Sequence, residues 1–197
     1  AAGYLSFYDS ATLAYLGCAE AGIKPEGITS NGMGKVACIN EGSMSIQTCG
    51  TGQVARGACN AGDDLITRYG EHYAMDHQGS MTICDLTPSG GLLVPTCTTH
   101  VPSATTFEPS TTTGYPGFLT AQQYRMMGLR LYGPSGDNVA HDIEPEGGDF
   151  TADGRYLFVN LQDNDGYMIF DTTLNKYISM GGYGDKEMTM DPSDKDY

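Results

Sequence analysis

Residues 144–171, "EPEGGDFTADGRYLFVNLQDNDGYMIFD", contain two apolar runs bounded by short acidic and glycine-containing segments. The runs are "YLFVNL" at 156–161 and "GYMIFD" at 166–171, and each has a length typical of a β-strand. Asp and Gly in "ADGR" and "DNDG" favour tight turns between antiparallel strands. The same acids could instead form a catalytic or metal-binding site, and this stretch alone is compatible with both interpretations.

Much of the pattern occurs a second time near the N-terminus. Residues 25–40, "PEGITSNGMGKVACIN", align without a gap with residues 145–160, so that Lys35 falls on Arg155 and both precede an apolar run. A matched spacing of acid, glycine, base and apolar run indicates one supersecondary unit that the chain uses twice. The repeat favours a structural explanation for most of the turn residues.

A second motif accompanies the repeat. The segments "GYLSFYD" at 3–9, "GSMTICD" at 79–85 and "GYMIFD" at 166–171 each begin with Gly and end in Asp. Units of about forty residues with four short strands are typical of β-propeller blades. We therefore predict an all-β fold, a partial propeller of about two to three blades, in one segment that spans the chain. The blade-like units are expected near residues 3–44, 79–97 and 142–185.

Residues 98–135 are predicted to be an insert between blade-like units. Its first part, "TTHVPSATTFEPSTTTGYP", is rich in Thr, Ser and Pro, which is typical of a loop or stalk-like linker that can carry O-linked sugars. Further on, Thr120 can cap one short helix that begins with "AQQY" and ends at Gly128. Met126 and Met127 in this helix are expected to fill the core.

Composition narrows the class of partner. The chain has 197 residues, a formal net charge of -14 and only ten Lys and Arg residues. Binding to phosphate backbones needs clustered basic residues, so we predict no nucleic-acid partner. No stretch approaches the roughly 18 to 20 apolar residues of a membrane span, and none is predicted. The strong acidity suits calcium or a basic partner.

Six cysteines are scattered along the chain without the CxxC spacing of zinc ribbons and thioredoxin-type sites. In an acidic, Thr-rich chain they indicate the disulfides of a secreted protein, and free buried thiols in a cytosolic protein are the alternative. Six cysteines allow fifteen pairings, among which sequence does not choose. The pairing that we favour joins Cys49 to Cys59, Cys84 to Cys97, and Cys18 to Cys38.

Acidic side chains surround the apolar run 156–161. In a propeller one end of each inner strand lies near the central channel, where carboxylates of successive blades can converge on a hard cation such as calcium. Glu26 and Glu146 occupy matching positions of the repeat, whereas Asp153 and Asp165 are better explained as turn residues. The candidate metal ligands are Glu26, Asp142, Glu144, Glu146, Asp163 and Asp165.

Histidines and nucleophile motifs give no comparable signal. His72, Asp76 and His77 form a small group and His141 precedes Asp142, but their spacing does not show that they converge on a transition metal. The chain has no G-x-S-x-G elbow and no P-loop. We therefore predict no catalytic residues.

Several segments resemble the choice-of-anchor I family, in the same order along the chain. They are "PEGITSNGMGKVACINEGS", "GSMTICDL", "FLTAQQYRMMGLRLYGPSG", and residues 142–165, where "DIEPE" precedes a strand that ends in "LQDND". The similarity spans nearly the whole chain, and residues 142–171 are its most specific part. Gly147 stands where the family usually has an aromatic residue, which implies a looser entry into the strand.

The resemblance implies a secreted or cell-surface protein, because the family includes mesenchyme-specific cell-surface glycoproteins and secreted bacterial proteins labelled alkaline-phosphatase-like. We expect a non-enzymatic structural or binding module that is associated with calcium and linked to matrix, filament or biomineral. The alternative is a metal-dependent extracellular phosphohydrolase. Because the family's fold is a complete propeller, the resemblance also implies partners at the bare strand edges, either the remainder of the propeller or further copies of the protein.

Overall fold

The structure, a computed structural model, describes residues 2–42, 65–68, 71–74, 77–109, 114–131 and 138–184. The described part consists mainly of short antiparallel strands and contains two short helices, so the predicted all-β class is confirmed. In chain order the elements are β1 (Ala2–Tyr8), β2 (Tyr15–Ile23), β3 (Pro25–Ser30), β4 (Lys35–Asn40), β5 (Leu65–Arg68), β6 (Glu71–Ala74), β7 (Ser80–Ser89), β8 (Leu92–His100), α1 (Ala121–Met126), α2 (Val139–Asp142), β9 (Gly147–Phe150), β10 (Tyr156–Leu161), β11 (Gly166–Asp171) and β12 (Lys176–Gly182).

The described strands form four sheets. The first four-stranded sheet has the order β3-β4-β7-β8, and β5 and β6, which lie between β4 and β7 in the sequence, pair separately. The second four-stranded sheet has the order β12-β11-β10-β9, so each of its strands pairs with the next one in the sequence. The hairpin β1–β2 is a two-stranded sheet of its own. None of these sheets closes on itself.

The sequence repeat corresponds to two equivalent hairpins. β3 and β4 form the first half of one four-stranded sheet, and β9 and β10 form the first half of the other. Gly34 and Gly154, which match in the repeat, both have positive φ values, of 91° and 69°. Asp153 shapes the second turn, because its Oδ1 accepts a hydrogen bond of 3.1 Å from the backbone N–H of Arg155. The turn interpretation of Asp153 is thereby confirmed.

The three larger sheets lie in layers. One face of the first four-stranded sheet, including Ile39 and Met81, packs against Leu157 and Met168 of the second sheet in the main core. The opposite face of the first sheet contacts β1 and β2 in a smaller apolar cluster. Because β4 has a layer on each side, its residues from Val36 onward are all buried and its sequence reads as a continuous apolar run.

Three of the described cysteines, Cys38, Cys84 and Cys97, belong to the smaller cluster or pack against it. Cys84 and Cys97 form a disulfide between β7 and β8, as predicted. The predicted Cys18–Cys38 bond is wrong, because both thiols are free. Successive side chains of a strand point to opposite faces, so Ala19 of β2 contacts the cluster that contains Cys38 while Cys18 is exposed. Cys49 and Cys59 lie outside the described residues.

Helix α1 begins as predicted. The Thr120 side chain caps the backbone N–H of Gln123, and the Gln123 side chain accepts from the backbone N–H of Thr120 in return. The expected core role of Met126 and Met127 is wrong, since Met126 is 81% exposed and Met127 is exposed as well. A helix this short buries only one narrow face, which here consists of Ala121 and Tyr124.

Part of the predicted insert belongs to the domain. Residues 98–100 continue strand β8, and Phe107 is buried in the main core, where its ring stacks on that of Tyr177 at a centroid distance of 5.2 Å. The backbone of Glu108 donates to the Tyr177 carbonyl oxygen at 2.8 Å. Of the two predicted alternatives, a loop or a stalk-like linker, the stalk is therefore wrong for residues 105–108, which form a loop bonded to β12, the edge strand of the second sheet.

Candidate functional site

Acidic side chains gather around Lys24 at the corner where β2 turns into β3. We call this group the acid cluster; it consists of Glu26 and Glu41, which pair with the Lys24 ammonium group, and of Glu144, Glu146 and Asp163, whose charges act on one another. Four of these carboxylates were predicted as metal ligands, and the structure brings those four together. Lys24 and Glu41 complete the site but were not predicted.

Lys24 holds the corner together. It adopts a positive φ of 51°, and its backbone oxygen accepts a 2.9 Å hydrogen bond from the N–H of Glu41. Its ammonium group forms ion pairs with the carboxylate of Glu41, which is 8% exposed, and with Glu26 at 3.6 Å. The hydrogen bond to Glu41 raises the pKa of Lys24 above its ordinary value. The nearly buried Glu41 carboxylate is thus compensated by a cation that is partly in water.

Close approach of β3 and β9 brings the two copies of the repeat into contact. A side-chain Cβ at Gly27 would lie only 2.5 Å from the carbonyl oxygen of Glu146, so any larger residue would push the strands apart. Thr29 further along β3 donates to Asp149 Oδ1 at 2.9 Å. This contact between strands of consecutive sheets places Glu26 and Glu146 in the same cluster.

Glu144 is the most perturbed acid of the cluster. Burial raises its pKa to about 7, and the hydrogen bond with the Asp163 carboxyl group and the charge of Glu41 act in the same direction. The Lys24 ammonium opposes this rise. Two carboxyl groups in hydrogen-bond contact share one proton most favourably. Glu144 can therefore hold or release a proton near neutral pH.

Asn164 positions this pair. Its Nδ2 donates to the carbonyl oxygens of Arg130 and Asp142 at 2.8 Å each, and its Oδ1 accepts from the backbone N–H of Glu144 at 2.8 Å. The side chain is buried, so these three bonds are made away from competing water. Asn164 fixes the segment that enters β9 against the turn that follows β10, and thereby sets Glu144 beside Asp163.

The other two predicted ligands are Asp142 and Asp165. Asp142 ends helix α2, and its backbone oxygen accepts a 2.8 Å hydrogen bond from the Asn164 side chain. Asp165 has a φ of 49° in the turn between β10 and β11 and pairs with Arg130 at 3.2 Å. Its turn interpretation is confirmed. Within the described ranges, no three His, Cys, Asp or Glu side chains are placed to hold a metal ion.

A repeat position explains the charge complementarity of the site. With the alignment of residues 25–40 on 145–160 extended by one position, Lys24 matches Glu144. Equivalent positions of consecutive sheets therefore have opposite charges, and the structure brings them close enough for Lys24 to lower the pKa of Glu144. This reversal of sign within the repeat is the sequence signal that would have identified Lys24.

Comparison with known proteins identifies the family of the chain. The model of the choice-of-anchor I domain family matches residues 1–197, the full length of the chain. The chain belongs to the choice-of-anchor I domain family. No curated protein and no solved structure matches it significantly.

Location follows from family and chemistry together. Membership of the choice-of-anchor I domain family and the Cys84–Cys97 disulfide both support a cell-surface or extracellular location, since disulfides persist in oxidising compartments. Among the helices that the structure describes, none has the length and apolar character that would let it cross a membrane.

Two clefts of this choice-of-anchor I domain have described linings that include no residue of the acid cluster. His77 and His141 line a shallow cleft, and burial lowers the pKa of His77. The side chains of His72 and Asp76 lie outside the described residues. A larger cleft of about 720 Å³ opens beside α1, and among the described residues that line it, which include Gln78 and Asn138, none is acidic or basic.

Proposed function

We propose that this choice-of-anchor I domain is a non-enzymatic module of the cell surface or extracellular space, and that its layered sheets are blades of a β-propeller completed by further strands. The observation that carries the proposal is the repeated unit: two consecutive four-stranded sheets begin with matching hairpins and pack face to face. Family membership supports the location.

The acid cluster supports a structural role. Lys24 forms an ion pair with Glu41, and the raised pKa of Glu144 lets this carboxyl group stay protonated beside Asp163 below about pH 7. Such compensation permits carboxylates to approach each other where consecutive sheets meet. A hydrolytic site would instead need an activated nucleophile or clustered metal ions. We therefore assign to the cluster the joining of consecutive sheets, and no observation favours the phosphohydrolase alternative.

Calcium binding at the predicted acids is a separate part of the proposal. Oxygen-rich groups suit calcium, but the described residues do not fit the ion as arranged, because the Lys24 ammonium lies among the carboxylates. A cation would have to displace this ammonium group from the cluster. If calcium binds, thermal unfolding should shift upward with millimolar calcium and return with a chelator, and replacement of Glu146 by Gln should abolish the shift. Equal melting temperatures would contradict the proposal.

Location is tested on the protein in its native setting. Intact cells are treated with a membrane-impermeant amine-reactive biotin, and the labelled fraction is compared with that of lysed cells and of a cytosolic protein. Labelling on intact cells supports the proposed location, and labelling only after lysis would contradict it.

The non-enzymatic assignment is tested separately with purified protein. Turnover of a generic phosphomonoester that Glu144→Gln abolishes would contradict this assignment.

The link to matrix, filament or biomineral is the most specific part of the proposal. A net charge of -14 favours adsorption to surfaces that expose cations. Adsorption to calcium mineral should fall with ionic strength if this attraction dominates, because salt screens exposed charges. Salt-independent adsorption, or none, would remove that support.

A further inference from the structure

The hairpin β1–β2 has the features of half a sheet. In the second four-stranded sheet, β11 pairs with β12 on one side and with β10 on the other. β1 has the same Gly-to-Asp motif as β11, and among the strands that the structure describes it pairs with β2 alone, on one side. By this correspondence β1 and β2 match β11 and β12, and the unpaired edge of β1 is the edge at which β10 stands in the complete sheet.

The turn after each strand supports the correspondence. Asp9 at the end of β1 accepts hydrogen bonds through Oδ1 from the backbone N–H groups of Ala11 and Thr12. Asp171 at the end of β11 does the same with two following N–H groups. A non-glycine residue of positive φ comes four positions after each Asp, Leu13 at 58° and Asn175 at 55°.

Both complete sheets contain an ion pair at this aspartate. In the first sheet Asp85, which ends the same motif in β7, pairs with Lys35. In the second sheet Asp171 Oδ2 accepts from Nε and Nη2 of Arg155 at 3.2 and 3.1 Å. Lys35 and Arg155 are matching residues of the repeat. In each case the base comes from the neighbouring hairpin and the acid from the strand to which that hairpin pairs.

The hairpin also leaves part of its neighbour uncovered. Ile28 of β3 pairs with Cys38 of β4 and therefore shares the face on which β1 and β2 pack. Cys38 is buried there, whereas Ile28 is 66% exposed. A two-stranded layer is too narrow to cover a four-stranded sheet, and the uncovered side is that of β3. A hairpin added to the edge of β1 would extend over Ile28.

We propose that the free edge of β1 binds a β-hairpin from outside residues 1–197, whose second strand follows a Lys or Arg that pairs with Asp9. The occupant is not β4 or β10 of a second copy, because each of these strands already pairs on both of its edges. Backbone hydrogen bonds would supply affinity, and the base and an apolar residue above Ile28 would supply specificity. This inference rests on the proposed blade architecture.

The test uses the protein with the chain's own hairpin as a probe. A fluorescein-labelled peptide of residues 147–161, "GGDFTADGRYLFVNL", contains the hairpin that pairs with β11 in the second sheet. We expect saturable binding in fluorescence anisotropy and slower hydrogen exchange of β1 amides that do not bond to β2. A peptide with Arg155→Glu should bind at least about fivefold more weakly, since attraction to Asp9 becomes repulsion.

Two protein variants test separately the recognition of the basic residue by Asp9 and the apolar contact at Ile28. Asp9→Asn keeps an Oδ1 acceptor for the turn but removes the charge, so the preference for the Arg over the Glu peptide should largely disappear. Ile28→Ser should weaken binding of either peptide, whereas Leu92→Ser, an exposed apolar position in β8, should leave it unchanged.

Absence of peptide binding, equal binding of both peptides, or protection confined to β8 or β12 would overturn the inference. Concentration-dependent self-association in analytical ultracentrifugation, with β1 protected in the absence of peptide, would identify a second copy as the occupant and would also overturn it. The outcome is distinguishable from the location test: a protein labelled only after lysis that still binds the Arg peptide would refute the proposed function and leave this edge assignment intact.

Discussion

Replacing Glu144 by Gln should make the protein more stable at alkaline pH and leave its stability unchanged near pH 4. Gln resembles the protonated acid and can still donate to Asp163, but it cannot ionise. The folded pKa of Glu144 is raised to about 7 from an ordinary 4.5. A carboxyl group whose pKa is raised by folding contributes stability that is fully present below about pH 4.5 and is lost as pH rises through about 7.

The size of the effect follows from the pKa change. Converted at about 1.4 kcal/mol for each pH unit, the rise from 4.5 to about 7 corresponds to roughly 3 kcal/mol at most. Glu144 is only half-buried, so solvent screening reduces the expected difference to about 1–2 kcal/mol. Glu144→Gln should therefore exceed the wild type by this amount at pH 8.

The measurement is urea unfolding at half-unit steps from pH 4 to pH 8, followed by far-UV circular dichroism because the chain has no Trp. Asp165→Asn is the matched control: it removes a carboxylate two residues from Asp163, at a left-handed position that Asn tolerates, and outside the acid cluster. Its stability difference from the wild type should stay constant between pH 5 and pH 8. A constant difference for Glu144→Gln as well would refute the reasoning.

Three further changes test the packing around the site. Gly27→Ala should destabilise the fold by about 1–3 kcal/mol, because the added Cβ meets the backbone of the neighbouring strand. Gly147→Ala is the control: its Cβ faces open space, so the free energy of unfolding should change by less than about 0.5 kcal/mol. Similar values for both variants would contradict the close approach of β3 and β9. Asn164→Ala should lower the free energy of unfolding by about 2–4 kcal/mol, since three backbone groups lose a buried partner, and a fall within about 0.5 kcal/mol would show that water replaces the side chain. Reduction of Cys84–Cys97 should lower the stability to urea by about 2–4 kcal/mol, and an unchanged midpoint after confirmed reduction would exclude a stabilising role.

Local patterns predicted the elements but not the way in which the sheets meet. The turns at Gly34 and Gly154 follow from residue type and spacing, and the capping box at Thr120 is likewise a signal of adjacent residues. The face on which a side chain ends depends on long-range packing. Cys18 was therefore assigned the wrong partner, and Met126 the wrong environment.

The sequence repeat predicted some of the residues of the acid cluster but not all of them. Glu26 and Glu146 were found because they match in the alignment, and both belong to the acid cluster. Glu41 follows the end of β4 and joins the cluster through its ion pair with Lys24. The residues next to Lys24 and Glu41 in the sequence give no signal of this contact. Asp165 was included because it follows the buried strand, as Asp163 does, but in the structure it lies in the turn and pairs with Arg130. Counting acids in a segment does not distinguish turn residues from residues that converge.

The two four-stranded sheets differ in how far apart their partners lie along the chain, and this difference bears on the order of folding. The second sheet is built from consecutive hairpins within residues 147–182, so its loops close at small entropic cost. In the first sheet β4 must find β7 across residues 41–79. Contacts between near neighbours form fastest, and we expect the second sheet to form first and offer its apolar face as a template. Pulse-labelled hydrogen exchange during refolding should then protect β10 and β11 before β4; the opposite order would show that the first sheet nucleates the domain.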